Sequence, residues 1–172
     1  MAVKKIYLYI ILLIFFTNKS FACQLLNVPI GTNVSSAVST FEFIDAYNAD
    51  LYGDEFSAKY EDYAQEYCEG SSLENSDLEV IVYKSKIAGI NLVNSHNNSK
   101  NEIYEFVKSF ISDPGSETKS NNWTGYKNLS IGDLLIFYGK TKIANETIEY
   151  LEITNPEMID FTIGERVMNA TG

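Results

Sequence analysis

Residues 6–16 form an uninterrupted apolar run, preceded by Lys4 and Lys5 and followed by Ser20-Phe21-Ala22. A basic head, an apolar stretch of ~7–15 residues and small residues three and one before a cut make a secretory signal peptide. This feature constrains the fold most. Residues 1–22 are expected to be removed after Ala22, leaving 23–172 to fold as a single α+β domain in an oxidising compartment. The run falls short of the ~20 residues that span a bilayer, so no transmembrane segment is expected after cleavage.

Cys23 and Cys68 are the only cysteines, and both survive cleavage. An even count in an exported chain predicts a Cys23–Cys68 disulfide that clips the new N-terminus to the core. The rival is acylation of Cys23, the residue directly after the cut, as in bacterial lipoproteins. Of Ser20-Phe21-Ala22 only Ala22 suits that processing, and acylation would strand Cys68. With no Cys-x-x-Cys and a single histidine, no zinc site and no cofactor are expected.

All 23 acids follow Ala22, whereas Lys4, Lys5 and Lys19 precede it. The mature chain thus carries 10 Lys+Arg against 23 Asp+Glu, a formal charge of −13. That sign disfavours nucleic acid and anionic lipid, which are bound by Lys and Arg neutralising phosphate. It favours a cationic protein partner. Arg166 is the one arginine, and the paired lysines with a compact apolar run resemble bacterial signals, pointing to a Gram-negative periplasm. In such a chain the six Asn-x-Ser/Thr sequons, at Asn33, Asn97, Asn122, Asn128, Asn145 and Asn169, are chance matches.

Along the chain, Thr32/Asn33 can cap a helix carrying Val34, Ala37, Val38, Phe41 and Ile44. A second, acidic amphipathic helix is predicted after Asp54, with Phe56, Tyr60, Tyr63, Ala64 and Tyr67 on one face. A β-hairpin over 78–93 turns at Lys84-Ser85-Lys86. Ser99–Glu102 reads as a capping box ahead of Ile103, Phe106, Val107, Phe110 and Ile111, a helix stopped by Asp113-Pro114-Gly115. Strands are predicted around 123–126, 134–138 and 147–154, a helical turn at Asn155-Pro156, and an edge strand over 161–168. The expected architecture is two or three helices on one face of an antiparallel sheet. Tyr83–Ala88 resembles Tyr138–Ala144, which raises the expectation of two related helix-then-strands units.

Chemistry-bearing motifs are scarce. His96 lies in the polar stretch 94–99 and reads as a loop residue; a Cys68–His96 nucleophile pair would compete with the disulfide. Asn48, Asp50, Gly53 and Asp54 fail calcium-loop spacing, because the closing position is Lys59. No phosphate loop, dinucleotide fingerprint or nucleophile elbow occurs, and no enzymatic activity is expected.

What remains is an acidic, tyrosine-rich segment. Glu55, Tyr60, Glu61, Asp62, Tyr63, Glu66 and Tyr67 are the candidate partner-binding residues, since aromatic anchors ringed by charge suit a basic protein. Packing of the tyrosines on a sheet is the simpler use of such a stripe. The expected function is an exported, non-enzymatic inhibitor or immunity protein that occludes a cationic enzyme or toxin. The alternative is an envelope assembly module lipidated at Cys23, because Ile30-Gly31-Thr32 leading into Val34 and Val38 resembles the start of small outer-membrane assembly lipoproteins. A small-ligand carrier is a third class.

Overall fold

The computed structural model describes residues 23–38, 50–52, 54–68, 70–73, 75–96 and 101–162. Seven strands pair in one antiparallel sheet: β1 (Asp50–Tyr52), β2 (Asp54–Tyr63), β3 (Asp77–Tyr83), β4 (Lys86–His96), β5 (Gly125–Ile131), β6 (Leu134–Ile143) and β7 (Glu146–Thr154). Their order is β1-β2-β3-β4-β7-β6-β5. Among the described residues there is one α-helix, α1 (Glu102–Phe110), so the fold is α+β without the expected two or three helices.

Period-two alternation explains the sheet. Tyr60, Val80, Ile90, Ile153, Ile136 and Leu129 stand opposite one another on successive strands and face one side. Leu78, Leu92, Leu151 and Tyr138 form the next row, and these residues are the main core. α1 covers this inner face with Ile103, Tyr104, Phe106 and Val107 while Lys108 and Ser109 stay in water. Leu25, Val28 and Ala37 of the N-terminal segment fill the rest. The expected disulfide is present: Cys23 and Cys68, both buried, tie that segment to the end of β2 across 45 residues. Among the described residues, no helix is long and apolar enough to cross a membrane.

The acidic helix expected after Asp54 is instead β2, followed by a 3-10 turn at Ala64–Tyr67. Tyr60 and Tyr63 suit a helix face or a strand; pairing with β3 decides, because seven consecutive residue pairs from Ser57 to Tyr63 give β2 a ladder partner. The first predicted helix begins with a real cap, the Asn33 side chain accepting from the Ser35 amide at 3.0 Å, but Val34–Ser36 is a 3-10 turn and 39–49 lie outside the described residues. In the capping box, Ser99 also lies outside them, and the Glu102 carboxylate is turned to Asn75 and Asn94 instead. Asn155 opens the predicted helical turn, accepting from the Glu157 and Met158 amides. Phe161 ends a 3-10 turn (Ile159–Phe161) rather than starting a strand, and 163–168 are outside the described residues.

β2-β3-β4 and β5-β6-β7 are two meanders of the same order, joined where β4 meets β7. The Tyr83/Tyr138 echo is not the mark of that relation. Lys84-Ser85 is the β3–β4 turn, whereas Gly139–Lys142 runs inside β6 and the equivalent turn is Ala144-Asn145.

Candidate functional site

The two faces of the sheet differ in chemistry. On the inner face the buried polar residues are committed to structure. Glu149 accepts from the Ile103 and Tyr104 amides at 3.2 and 2.7 Å and from the Tyr138 hydroxyl at 2.6 Å. Lys140 donates to Asn101 Oδ1 at 2.6 Å and to the Thr118 carbonyl at 2.7 Å, with Glu149 at 3.9 Å. Burial raises the pKa of Glu149 against the pull of these donors, and lowers that of Lys140 against the attraction of Glu149. Burial, then the Glu149 charge, keeps the Tyr138 phenol protonated as a donor. Tyrosine, lysine and carboxylate side by side can do acid–base chemistry, but this trio is shut under Tyr104 and Trp123 and bonded to the backbone. It holds α1 down.

The outer face carries a different pattern. Register aligns Glu61, Glu79, Asn91, Glu152, Phe137 and Asn128 in one transverse row. The adjacent row is Tyr63, Asp77, Val93, Tyr150, Gly139 and Tyr126. Tyr63 is 64% exposed, Tyr126 65% and Ile143, further along the same face of β6, 61%. At strand spacing of about 4.8 Å, Tyr63 and Tyr126 stand roughly 24 Å apart. The Tyr150 ring lies over Gly139, where a Cβ would come within 2.3 Å of it.

Lys59 joins the acidic row. Its Nζ is 2.5 Å from Glu61 and 3.2 Å from Glu79, whose other oxygen accepts from Asn91 at 3.2 Å. Burial alone would lower Lys59, but the two carboxylates outweigh it and its pKa is pushed up to about 12. One end of the face is closed by residues 155–162. Met158 packs on Ile81 and Ala88, Phe161 stacks on Tyr83 with ring centroids 3.8 Å apart, and Gly89 leaves the room Thr162 occupies.

The structure divides the seven residues singled out from sequence. Glu61 and Tyr63 stand on the outer face. Tyr60 is 6% exposed in the core, and Asp62, on the same inner side, accepts from the Tyr67 hydroxyl at 2.7 Å. Glu66 is exposed on the 3-10 turn, and Glu55 lies on β2, in a stretch described by its backbone. Asp77, Glu79, Tyr126, Phe137, Ile143 and Tyr150 were missed. Their signal is alternation: Asp77 and Glu79 flank Leu78, and Tyr126 precedes a run in which every second residue is half-buried.

His96 is the last residue of β4, opposite Thr147, and not a loop residue. Cys68 is in the disulfide, so no Cys68–His96 pair exists. Among the described residues, no three His, Cys, Asp or Glu side chains are grouped as metal ligands would be. The disulfide fits an oxidising compartment outside the cytoplasm. Comparison with known proteins gives no match to a protein family, to a curated protein or to a solved structure.

Proposed function

We propose that the protein is an exported, non-enzymatic binding module that docks a cationic protein on the outer face of its sheet, as an inhibitor or immunity protein of the periplasm would occlude a basic enzyme or toxin. One observation carries this reading. Of the five large hydrophobic residues exposed among the described residues, Tyr63, Tyr126, Ile143 and Phe161 lie on the outer side, and Tyr63 stands beside Asp77 and next to the row that holds Glu61 and Glu79. Exposed aromatics with adjoining charge are the composition of a protein-binding patch. The charge of −13 on the expected mature chain selects a basic partner and speeds encounter.

The disulfide weighs against the alternative, an envelope module acylated at Cys23, because that sulfur is already bonded to Cys68. Labelling cells with a fatty-acid analogue separates the two: incorporation at Cys23 would favour the assembly module.

The test is retention of partners from an envelope extract on the immobilised protein at low and high salt. A basic protein should be held at low salt, released as ionic strength rises, and lost from the Tyr63→Ala/Asp77→Asn double variant. No retained partner, or retention indifferent to salt and to that variant, overturns the reading.

A further inference from the structure

The sheet treats its two edges differently. Among the described residues, β1 is an edge strand of three residues with a shifted register against β2, which is how native sheets blunt an edge. β5 is seven residues long, pairs with β6 without a register shift, and has no other strand beside it among the described residues. It lacks proline, bulge and carboxylate. Its one charge, Lys127, is engaged by Glu117 at 2.7 Å. In a chain so rich in acid, a long edge without acid is the surface on which a second copy meets least repulsion.

The strand is also self-complementary. Laid antiparallel on itself over Gly125–Ile131, it puts Asn128 on the two-fold axis, Lys127 opposite Leu129 and Tyr126 opposite Ser130. No like charges face each other in that register. The same union exists inside the chain, where β4 and β7 join the two meanders through seven consecutive residue pairs. We propose that β5 pairs with β5 of a second copy about a two-fold axis at Asn128, giving one continuous sheet whose two outer faces adjoin. Tyr126 then packs over Ser130 of the second copy instead of standing in water. The pairing does not rest on what the outer face binds, although it covers Tyr126, and leaves Tyr63 of each copy exposed on the joined face.

Sedimentation of the disulfide-bonded protein, without any partner, tests this. A concentration-dependent dimer is expected. Asn128→Glu, which sets two carboxylates together at the axis, should weaken it at least about tenfold, a loss of about 1.4 kcal/mol. Thr141→Glu adds the same net charge on exposed β6 away from the axis and should have little effect. Asn128→Cys should form a reducible covalent dimer under air, and Thr141→Cys should not, which keeps the test valid if the glutamate variant misfolds. A chain that is monomeric up to about 1 mM overturns the proposal. So does a dimer that responds equally to the variants at 128 and 141.

Discussion

Glu149 on β7 caps α1 from across the core, its Oε1 accepting the Tyr104 amide at 2.7 Å while Oε2 accepts that of Ile103. A helix of nine residues is too short to persist alone in water, so it depends on tertiary contacts of this kind. Glu149→Ala should leave the two amides and Tyr138 without an acceptor and Lys140 without its counter-charge. The expected cost is about 3–5 kcal/mol by urea denaturation, as for breaking a buried ion pair.

The pH dependence of that residue follows from its raised pKa. A group with a folded pKa above the unfolded value stabilises most below the unfolded value, near 4.5, and loses that stabilisation as pH rises through the folded one. Relative to Glu149→Gln, the wild type should therefore gain stability as pH falls from 7 toward 4, measured by denaturant midpoints. A gap that narrows on acidification would mean that the three hydrogen-bond donors and the Lys140 charge outweigh burial.

Gly139 is required by space and not by backbone conformation. A Cβ there would meet the Tyr150 ring at 2.3 Å. Gly139→Val should cost about 1–3 kcal/mol, as overpacking does, and Tyr150→Ser should recover part of that loss in a double-mutant cycle.

Lys84 and Ser85 both have positive φ, 47° and 63°, in a two-residue hairpin turn. Such a turn favours Asn-Gly. Replacing the pair by Asn-Gly should raise stability by about 1 kcal/mol, read as a higher melting temperature with the same far-ultraviolet spectrum.

Tyr60 and Tyr63 separate core from surface within three residues. Tyr60→Ala should cost about 3–5 kcal/mol, as for a large aromatic. Tyr63→Ala should stay within about 0.5 kcal/mol and act only on partner binding. Reducing the Cys23–Cys68 bond, which closes 45 residues, should cost about 4 kcal/mol by loop-closure entropy. Equal thermal curves with and without reductant would refute that.

The β3–β4 hairpin, α1, β6 and β7 are legible in the sequence through their own periodicity, whereas β5, expected around 123–126, runs over Gly125–Ile131. Val80, Ile81 and Val82 can hardly be helical, and Asp113-Pro114-Gly115 closes α1. β2 is not legible, because tyrosines three and four apart fit a helix stripe as well as a strand, and the ladder from β3 lies some twenty residues away. The candidate site shares that ambiguity: Tyr60 and Tyr63 fall on one face of a helix but on opposite faces of a strand.

What the sequence determines by itself is local or compositional: an apolar N-terminal run behind two lysines, an acidic surplus, a cysteine pair and the segments whose periodicity admits one reading. The tertiary structure decides which strands are neighbours. Only that pairing lines Glu61 up with Glu79, and Tyr63 with Tyr126, across strands far apart in the chain. The physical reason is that a strand's faces acquire meaning only through its ladder partners, since backbone hydrogen bonds between distant segments set the register and the register sets which side chains share a surface.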